Sequence, residues 1–376
     1  MYLDFSASTP INSKVKTKLL SILDVYGNPS SLHKKGFEAK ELITEASDII
    51  AKCLNCEQDE LYFTSGSTMS NNQAIQGFLN KHKLSFCHVV TSCMEHEDIY
   101  MMLENYPSDL RHYIPCDHDT GLLDLECLDE ELSEIEKTSE SPILVSIQWA
   151  NNEMGVIQDM RNISKIVESH ENVYLHSDAT QLIPYTLPDL KKIPLDMLSC
   201  SAQKIGGIKG TGLLYVRNNV HLVPLIYGEQ GLIGGTENVF GISCMGEAFK
   251  QLDYSQNIEL KDKRDYLYSK LSDYGVLVGD LEHRLPNNLC MIFEDVKGEE
   301  LQGLLSEMDI YVSTGSACSS HSDKPSRTLK AMGYTDEQAN SAIRISLSNC
   351  YGYDDLDRIA KAIIYFVDKL RTKEMR

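Results

Sequence analysis

Long apolar runs, net positive charge and a regular cysteine framework are all absent from this 376-residue sequence. Its uninterrupted apolar stretches span a few residues, whereas a transmembrane helix needs about 20, so no membrane association is predicted. The opening MYLDFSAS lacks the basic and apolar segments of a signal peptide. Eleven scattered cysteines indicate reduced thiols and a cytoplasmic location. The CLNC pair at 53–56 has no second pair beside it, so no metal site is predicted.

Basic residues are outnumbered throughout the chain. The sequence has 35 Lys and Arg against 55 Asp and Glu, a formal net charge of −20 at pH 7. Such a surface repels nucleic-acid phosphates, so we expect no direct nucleic-acid binding. The hydrophobic content of 42% is typical of a globular protein, and the length predicts two domains.

Short apolar segments alternate with helical patterns along most of the chain. Seven segments predict buried strands: 61–66, 88–92, 110–116, 143–150, 173–178, 196–200 and 212–217. This alternation predicts an α/β fold, with a mainly parallel seven-stranded sheet between two helical layers. Beyond residue 246 a helix around 247–271, short strands and a final amphipathic helix predict a smaller α+β domain. We therefore predict a large domain over 15–246 and a small domain over 1–14 and 247–376.

A single lysine stands between two of these apolar segments. Lys204 follows the strand DMLSC and precedes a glycine-rich turn that leads into GLLYVR. Lysines are seldom set between buried strands, and burial makes an amine nucleophilic towards a carbonyl by lowering its pKa. An ordinary loop lysine beside a tight turn is the alternative.

The segment TSGSTMSNN, residues 64–72, follows one predicted strand and opens a predicted helix. The hydroxyls of Ser67 and Thr68, together with N–H groups at the helix N-terminus, suit an anion such as phosphate. Simple helix capping is the alternative interpretation.

Other polar residues follow predicted strands. Asp178 ends VYLHSD with Gln181 three residues on, and His96 and Asn152 each follow a strand. Because parallel strands direct their carboxyl ends to one edge of a sheet, these side chains are expected to gather there. A carboxylate can keep a heterocyclic nitrogen protonated, although structural roles for the Asp and the His are the alternatives. With a lysine and a phosphate-binding segment, the set meets the requirements of pyridoxal 5'-phosphate.

Motifs spread over nearly the whole chain, in family order, resemble those of the NifS/IscS-like cysteine desulfurases, which are class V, fold-type I pyridoxal-phosphate enzymes. The matching segments are YLDFSASTP, YGNPSS, FTSGSTMSNN, the EH pair at 95–96, ANNEMGVIQ, HSDATQ, SAQK, GGTENV, STGSACSS and IRISLS. The resemblance implies a homodimer that takes sulfur from L-cysteine, leaves alanine, and passes the sulfur to an acceptor protein.

The resemblance also implies roles for residues around the cofactor ring. Lys204 matches the lysine that carries the cofactor and removes the substrate α-proton. Asp178 matches the partner of the ring nitrogen, and Gln181 with Asn152 match residues at the ring hydroxyl. His96 matches a histidine stacked on the ring and active in proton transfer.

Further matches concern the cofactor phosphate and the substrate. Ser67, Thr68 and Ser201 match phosphate ligands, and Gln203 is placed to donate to a phosphate oxygen. Thr236 matches a phosphate contact that reaches in from the second subunit. Arg344 matches the arginine that pairs with the substrate carboxylate, alongside Asn152.

Cys318, in STGSACSS, matches the nucleophile that accepts the sulfur as a persulfide. The Ser- and Gly-rich stretch 313–326 predicts a loop that is able to carry this sulfur outward. A thiolate is the attacking species, whereas most free cysteines are buried and inert. The length of the stretch resembles the NifS/IscS branch.

Four positions depart from the family pattern. Gln203 replaces a histidine, Ile233 replaces an arginine in a shortened glycine-rich segment, Met69 stands where Glu is common, and Phe5 where Asn is common. An active but divergent member is expected. A related class V activity, such as selenocysteine lyase or aminotransferase, and a non-catalytic sulfur-relay scaffold are the alternatives. Iron-sulfur cluster assembly and thio-modification of tRNA or DNA are the expected destinations of the sulfur.

Overall fold

The computed structural model describes residues 1–82, 87–228, 231–314 and 325–372. The strands in these ranges are β1 Leu61–Thr64, β2 His88–Ser92, β3 Arg111–Ile114, β4 Ile143–Ser146, β5 Val173–Asp178, β6 Met197–Ser201, β7 Gly212–Val216, β8 Val276–Leu277, β9 Asn288–Ile292, β10 Ser313–Thr314 and β11 Ala342–Ser346. The helices are α1 Ser13–Ile22, α2 Lys34–Leu54, α3 Ser67–Lys81, α4 Glu97–Glu104, α5 Leu125–Thr138, α6 Met160–Glu168, α7 Val239–Lys250, α8 Asn257–Leu271, α9 Gly298–Glu307, α10 Arg327–Ala331, α11 Asp336–Asn340 and α12 Tyr353–Arg371.

Seven strands form one sheet in the order β1-β7-β6-β5-β4-β2-β3. The pairings β3-β2, β2-β4, β4-β5 and β5-β6 are parallel, whereas β7 is antiparallel to both of its neighbours. The predicted seven-stranded, mainly parallel sheet is therefore confirmed. Because the parallel strands share one direction, the residues that follow β2, β4, β5 and β6 meet at a single edge.

Both faces of this sheet are covered by helices, as the near-continuous apolar strands require. On one face Ile75 and Phe78 of α3 pack with Leu144 and Met197 of the strands. On the other face, α5 and α6 contribute side chains to a second and larger cluster, which includes Leu128, Leu132, Ile135, Ile163, Val167, Val145 and Leu175. The sheet is thus the middle layer of three.

A second sheet has four strands in the order β10-β11-β9-β8, and all of its pairings are antiparallel. The helices α8, α9 and α12 pack on it through an apolar cluster that includes Leu267, Leu305 and Ile363. The N-terminal segment joins this sheet, because Tyr2 bridges to Tyr311 and Asp4 bridges to residue 346. This predicted α+β part is therefore present.

The prediction of a single helix around 247–271 is wrong, because two helices occupy this region. α7 ends at Lys250 and α8 begins at Asn257. Between them the Asp253 carboxylate accepts a hydrogen bond from the N–H of Ser255 at 2.9 Å, a local turn that competes with helix formation. The hydroxyl of Tyr254 also donates to the Ile183 carbonyl at 2.8 Å. The domain division at residue 246 stays a prediction, and α7 runs through this position.

His170 links α5 to the end of α6 and provides a test of the fold. Its Nδ1 lies 2.8 Å from Glu136 and its Nε2 lies 2.9 Å from Asp129. Burial lowers the pKa of His170, but these two carboxylates outweigh the effect and hold that pKa above its ordinary value. The ion pairs therefore stabilise the fold fully below about pH 6.5, the unfolded-state value, and this contribution is lost as pH rises through the raised folded-state pKa.

We expect the free energy of unfolding of the wild type, measured with urea, to fall between about pH 6 and pH 9. This fall is expected to exceed that of His170→Gln by up to about 1 kcal/mol. The exposed His221 supplies a control, since His221→Gln is expected to follow the wild type. Equal pH dependence in the wild type and in His170→Gln would contradict the prediction.

No described helix is both long and apolar enough to cross a membrane. Within the same described ranges, no group of three or more His, Cys, Asp or Glu side chains is arranged to hold a metal ion.

Candidate active site

A polar cavity of about 470 Å³ lies at the N-terminus of α3. Its lining includes Ser67, Thr68, Ser201 and Gln203, so four of the five residues predicted to contact the phosphate are brought together. Gly66 precedes the helix with φ of 153°, a value that side-chain-bearing residues rarely adopt. The first turn of α3 carries no acidic residue. The donor set and the helix dipole therefore suit a phosphate group.

Met69, one of the unusual residues, also lines this cavity. Its sulfur accepts a hydrogen bond from the Ser65 hydroxyl at 3.3 Å. Gln203 is fixed through its backbone, because its carbonyl accepts from the Thr9 hydroxyl at 2.7 Å. The side chain of Gln203 is thus held beside the cavity as a neutral donor, where it adds no positive charge to the phosphate-binding face.

Lys204 ends the short 3₁₀ helix that follows β6. Its Nζ donates to the carbonyl oxygens of Ser6 at 2.6 Å and Ala7 at 2.5 Å. The amide of Gln181 donates to the same Ser6 carbonyl at 2.9 Å. The N-terminal segment therefore brings Lys204 and Gln181, which are far apart in the chain, to one carbonyl oxygen.

Asp178 lies at the carboxyl end of β5 and is 3% exposed. Its carboxylate accepts from the Asn71 amide at 2.9 Å and from the backbone N–H of Thr180 at 2.9 Å. Burial, followed by the nearby negative charge of Asp98, raises the pKa of Asp178, and these two hydrogen bonds only partly offset it. Because both donors are neutral, the site favours a cationic group such as a protonated ring nitrogen beside Asp178.

His96 is the N-cap residue of α4. Its Nδ1 lies 2.9 Å from the carboxylate of Asp98. The amide nitrogen of Asn71 lies 3.3 Å from the same carboxylate and 2.9 Å from Asp178. His96 and Asp178, both predicted site residues, are therefore connected through Asp98 and Asn71.

Glu95 is buried directly beside this group, with 2% exposure. Its Oε1 accepts from the Ser92 hydroxyl at 2.5 Å and from the backbone N–H of Gln148 at 2.9 Å. Burial, with a smaller contribution from Asp178, raises the pKa of Glu95 to about 8. The side chain therefore holds a proton near neutral pH and adds no second negative charge beside Asp178.

Arg344 lies on β11 and is 3% exposed. Its guanidinium donates to Asp4 at 2.7 Å and to the carbonyl of Asn152 at 2.9 Å. The Asn152 side chain accepts from the Gln148 amide at 3.3 Å. Arg344 and Asn152, the two predicted substrate-binding residues, are thus in direct contact, and a buried guanidinium is suited to bind a carboxylate.

Two predicted residues are not joined to this group within the described chain. Thr236 lines a neighbouring cavity of about 570 Å³ with Ile233 and residues of α2, and the two cavities share Ser65, Met69 and Gly210. Cys318 lies outside the described residues. Strand β10 ends four residues before it, with Ser313 paired to Arg344.

Comparison with known proteins agrees with this geometry. Residues 1–359 match the model of the aminotransferase class-V family. The chain belongs to the aminotransferase class-V family. Over 386 residues it is 36% identical to the cysteine desulfurase IscS of Dictyoglomus turgidum, covering 99% of this chain and 95% of that protein.

Solved structures of family members have the same fold. A NifS-like protein from Rickettsia africae superposes with a TM-score of 0.88 at 31% identity, covering 98% of this chain and 99% of that one. SspA in complex with cysteine superposes with a TM-score of 0.79 at 30% identity, covering 92% and 98%. The expected fold-type I architecture and the family resemblance are therefore confirmed.

Four residues of the site were not singled out from the sequence: Asp4, Ser6, Asn71 and Asp98. Asn71 lies within the recognised segment TSGSTMSNN, and Asp98 lies two residues after His96, so proximity to a motif was their one local signal. Asp4 and Ser6 meet their partners across more than 170 residues. No local pattern encodes such contacts.

Proposed function

We propose that this protein is a cysteine desulfurase that uses pyridoxal 5'-phosphate to move sulfur from L-cysteine to Cys318. One observation carries the proposal: the buried guanidinium of Arg344 lies in register with Ser313, five residues before Cys318. Five residues span at most about 18 Å. The group proposed to bind the substrate carboxylate thus lies on the strand beside the one that leads to the proposed nucleophile. The similarity to proteins named cysteine desulfurase IscS supports this proposal.

The described residues fit the cofactor in three places. The cavity at the start of α3 would hold the phosphate, through Ser67, Thr68 and Ser201. Asp178 would pair with the ring nitrogen, which supplies the cation that its buried carboxylate favours. The amine of Lys204 would attach the cofactor. Bound pyridoxal phosphate supplies an electron sink for carbanion chemistry.

The reaction balances as one transfer of sulfur. Lys204 Nζ removes the α-proton of L-cysteine, and the Cys318 thiolate then attacks the substrate sulfur. The substrate S–Cβ bond breaks as the S–S bond forms. The electron pair of the broken bond stays with the β-carbon, which takes up a proton and becomes the methyl group of alanine. The α-carbon recovers a proton from Lys204 Nζ, so the amine ends in its starting state. The sulfur atoms of Cys318 and of the substrate together lose two electrons, and the β-carbon of the substrate gains these two electrons.

We further propose that the enzyme acts as a homodimer and delivers sulfur to a protein. Large apolar side chains at the start of the chain are exposed, with Leu32 at 89%, Tyr26 at 78% and Leu20 at 69%. Exposed apolar side chains of this size are typical of an interface between subunits. Thr236 lines a cavity with residues of α2, the helix that begins two residues after Leu32. A net charge of −20 favours a protein acceptor over a nucleic acid.

The proposed function is tested by incubating the purified protein, loaded with pyridoxal phosphate, with L-cysteine and a thiol reductant. Alanine and sulfide are expected in equal amounts, both measured over time. Formation of pyruvate, or alanine production from L-selenocysteine alone, would instead indicate another class V activity. Absence of cofactor binding would indicate the scaffold alternative.

Arg344→Lys is expected to raise KM for L-cysteine by about 10- to 100-fold, with a smaller effect on kcat. Lysine lacks the planar fork that pairs with a carboxylate through two hydrogen bonds, and loss of a charge-assisted bond accounts for this range. Arg161 is an exposed arginine on α6, and Arg161→Lys is the matched control. Steady-state alanine assays over a range of L-cysteine concentrations make the measurement. An unchanged KM in Arg344→Lys would exclude Arg344 from substrate binding.

A further inference from the structure

Asp98 is the common partner of three residues of the site. Its carboxylate lies 2.9 Å from Nδ1 of His96, and the amide nitrogen of Asn71 lies 3.4 and 3.3 Å from its two oxygens. The side chain of Thr68, in the phosphate cavity, also stabilises the charged form of Asp98 and so lowers its pKa. The Asp98 side chain is 8% exposed. A carboxylate with this many donors, and so little contact with water, is fixed in one orientation.

The ionised form of Asp98 is the one that these contacts select. Burial raises the pKa of Asp98, but the hydrogen bonds from His96, Thr68 and Asn71 outweigh it, so the pKa lies below its ordinary value. Asp98 also stands in the first turn of α4, where the helix dipole favours a negative charge. At neutral pH the group therefore accepts hydrogen bonds and donates none.

An anionic acceptor beside Nδ1 determines which imidazole nitrogen carries the proton. The backbone N–H of Asp98 also faces Nδ1, at 3.4 Å, and would pair with the opposite tautomer. The carboxylate contact is shorter by half an ångström and is charge-assisted, so it dominates. Nδ1 then carries the proton, and Nε2 is the nitrogen at which His96 exchanges protons.

Asn71 extends the influence of Asp98 to the other end of the cofactor site. Its amide nitrogen donates to Asp178 at 2.9 Å and faces Asp98 with the same group. The charge of Asp98 is also the second-largest cause of the raised pKa of Asp178. The Asp98 carboxylate therefore influences both His96, the proposed proton-transfer residue, and Asp178, the proposed partner of the ring nitrogen.

We propose that Asp98 is a positioning residue, which holds the proton of His96 on Nδ1 and presents Nε2 for proton transfer during sulfur removal. This role rests on the proposed function, because it gives His96 a reaction to serve. Asp98 acts through His96 and does not itself contact the substrate.

The matched control for Asp98 is its neighbour Glu97. Both are acidic residues in the first turn of α4, but Glu97 is exposed. Glu97→Gln removes one negative charge from the same helix terminus, as Asp98→Asn does. Any effect that arises from helix stability or the helix dipole is therefore expected in both variants.

The first test uses the protein without cofactor and does not depend on turnover. Proton-coupled ¹⁵N spectra of histidine-labelled protein, with His96 assigned by His96→Gln, report which ring nitrogen carries the proton. In the wild type and Glu97→Gln we expect protonated Nδ1 at high pH. In Asp98→Asn we expect loss of this preference and a His96 titration midpoint about one pH unit lower, since an adjacent negative charge favours the imidazolium. The other charged groups near His96 are the same in all of these variants. They are Asp178, which acts on His96 electrostatically, Glu95, which precedes it, and Arg327, which contacts the Glu95 carbonyl.

The second test is a double-mutant cycle in the loaded enzyme. Asp98→Asn is expected to lower kcat for alanine formation by about 10- to 100-fold, with KM nearly unchanged. This loss is at or below the lower end of the roughly 10²- to 10⁴-fold that a proton-transfer residue contributes, because Asp98 acts only through His96. In a His96→Gln background, the same substitution is expected to cost less than about twofold. Asp98→Glu, which restores the charge, is expected to recover part of the rate.

Two results would overturn the proposal. One is a His96 spectrum in Asp98→Asn that matches Glu97→Gln, and the other is an equal loss of kcat with and without His96. If Asp98→Asn does not fold, Asp98→Ser is examined by the same ¹⁵N experiment, because serine is well tolerated in the first turn of a helix. A wild type that makes no alanine would refute the proposed function, while the spectra would still decide the role of Asp98.

Discussion

Replacing Cys318 with alanine is expected to lower alanine formation from L-cysteine by about 10³-fold or more, the scale of loss seen when a catalytic nucleophile is removed. The thiolate is the group that takes the sulfur, and alanine leaves no atom to attack it. Cofactor binding is expected to persist, because Lys204, Asp178 and the phosphate-binding residues of the cavity at α3 are unchanged in this variant. The measurement compares alanine production at equal cofactor occupancy, judged by visible absorbance.

Two variants make this comparison specific. Cys350 is an exposed free cysteine, so Cys350→Ala tests whether loss of any accessible thiol has the same effect, and no change in rate is expected. Cys318→Ser retains the size of the side chain without a sulfur atom that could form a persulfide. Peptide mass spectrometry after a single turnover is expected to find the added sulfur, 32 Da, on Cys318 of the wild type. Full activity in Cys318→Ala would favour a related class V reaction, which needs no protein thiol.

The positions of Lys204 and Asp178 could be predicted from the sequence because each follows a strand of one parallel sheet. Strand direction alone places the residues after β5 and β6 at a common edge. The cavity formed with Ser67 and Thr68 follows from the same rule, since α3 begins directly after β1. The order of strands and helices along the chain is therefore sufficient to predict the positions of Lys204, Asp178 and the phosphate cavity.

The contacts made by the N-terminal segment could not be predicted in this way. Ser6 accepts from Lys204 and Gln181, and Asp4 pairs with Arg344. Each contact joins segments that are 175 to 340 residues apart, so it depends on how the two sheets are arranged and not on local periodicity.

Asn71 and Asp98 were missed for a different reason. Asn71 lies inside a recognised motif, in the second turn of α3, and Asp98 lies beside one, in the first turn of α4. Asn71 reaches Asp178 and Asp98 only because the fold brings α3 against β5 and α4, whereas Asp98 and His96 are two residues apart in the chain. The sequence therefore indicated the neighbourhood of each residue, but not the contact between the two.

Substitution of Lys204 by alanine is expected to have the other large effect, with loss of both covalent cofactor attachment and turnover by about 10³-fold or more. The amine has two tasks in the proposed reaction, since it attaches the cofactor and removes the α-proton of L-cysteine. Borohydride reduction followed by peptide mass spectrometry measures the first task, and alanine production measures the second. The exposed Lys209, five residues on in the same glycine-rich turn, supplies the control Lys209→Ala, for which neither value is expected to change.

Lys204→Arg separates the chemistry of the amine from its contacts. The guanidinium can still donate to the Ser6 and Ala7 carbonyls that now hold Nζ, so the N-terminal segment is expected to remain in place. Arginine stays protonated and cannot act as nucleophile or base at neutral pH. Equal loss in Lys204→Arg and Lys204→Ala therefore assigns the effect to the amine itself. If Lys204→Arg kept cofactor on its peptide and still made alanine, another amine would have to carry the reaction, and the convergence of Lys204 and Gln181 on Ser6 would be purely structural.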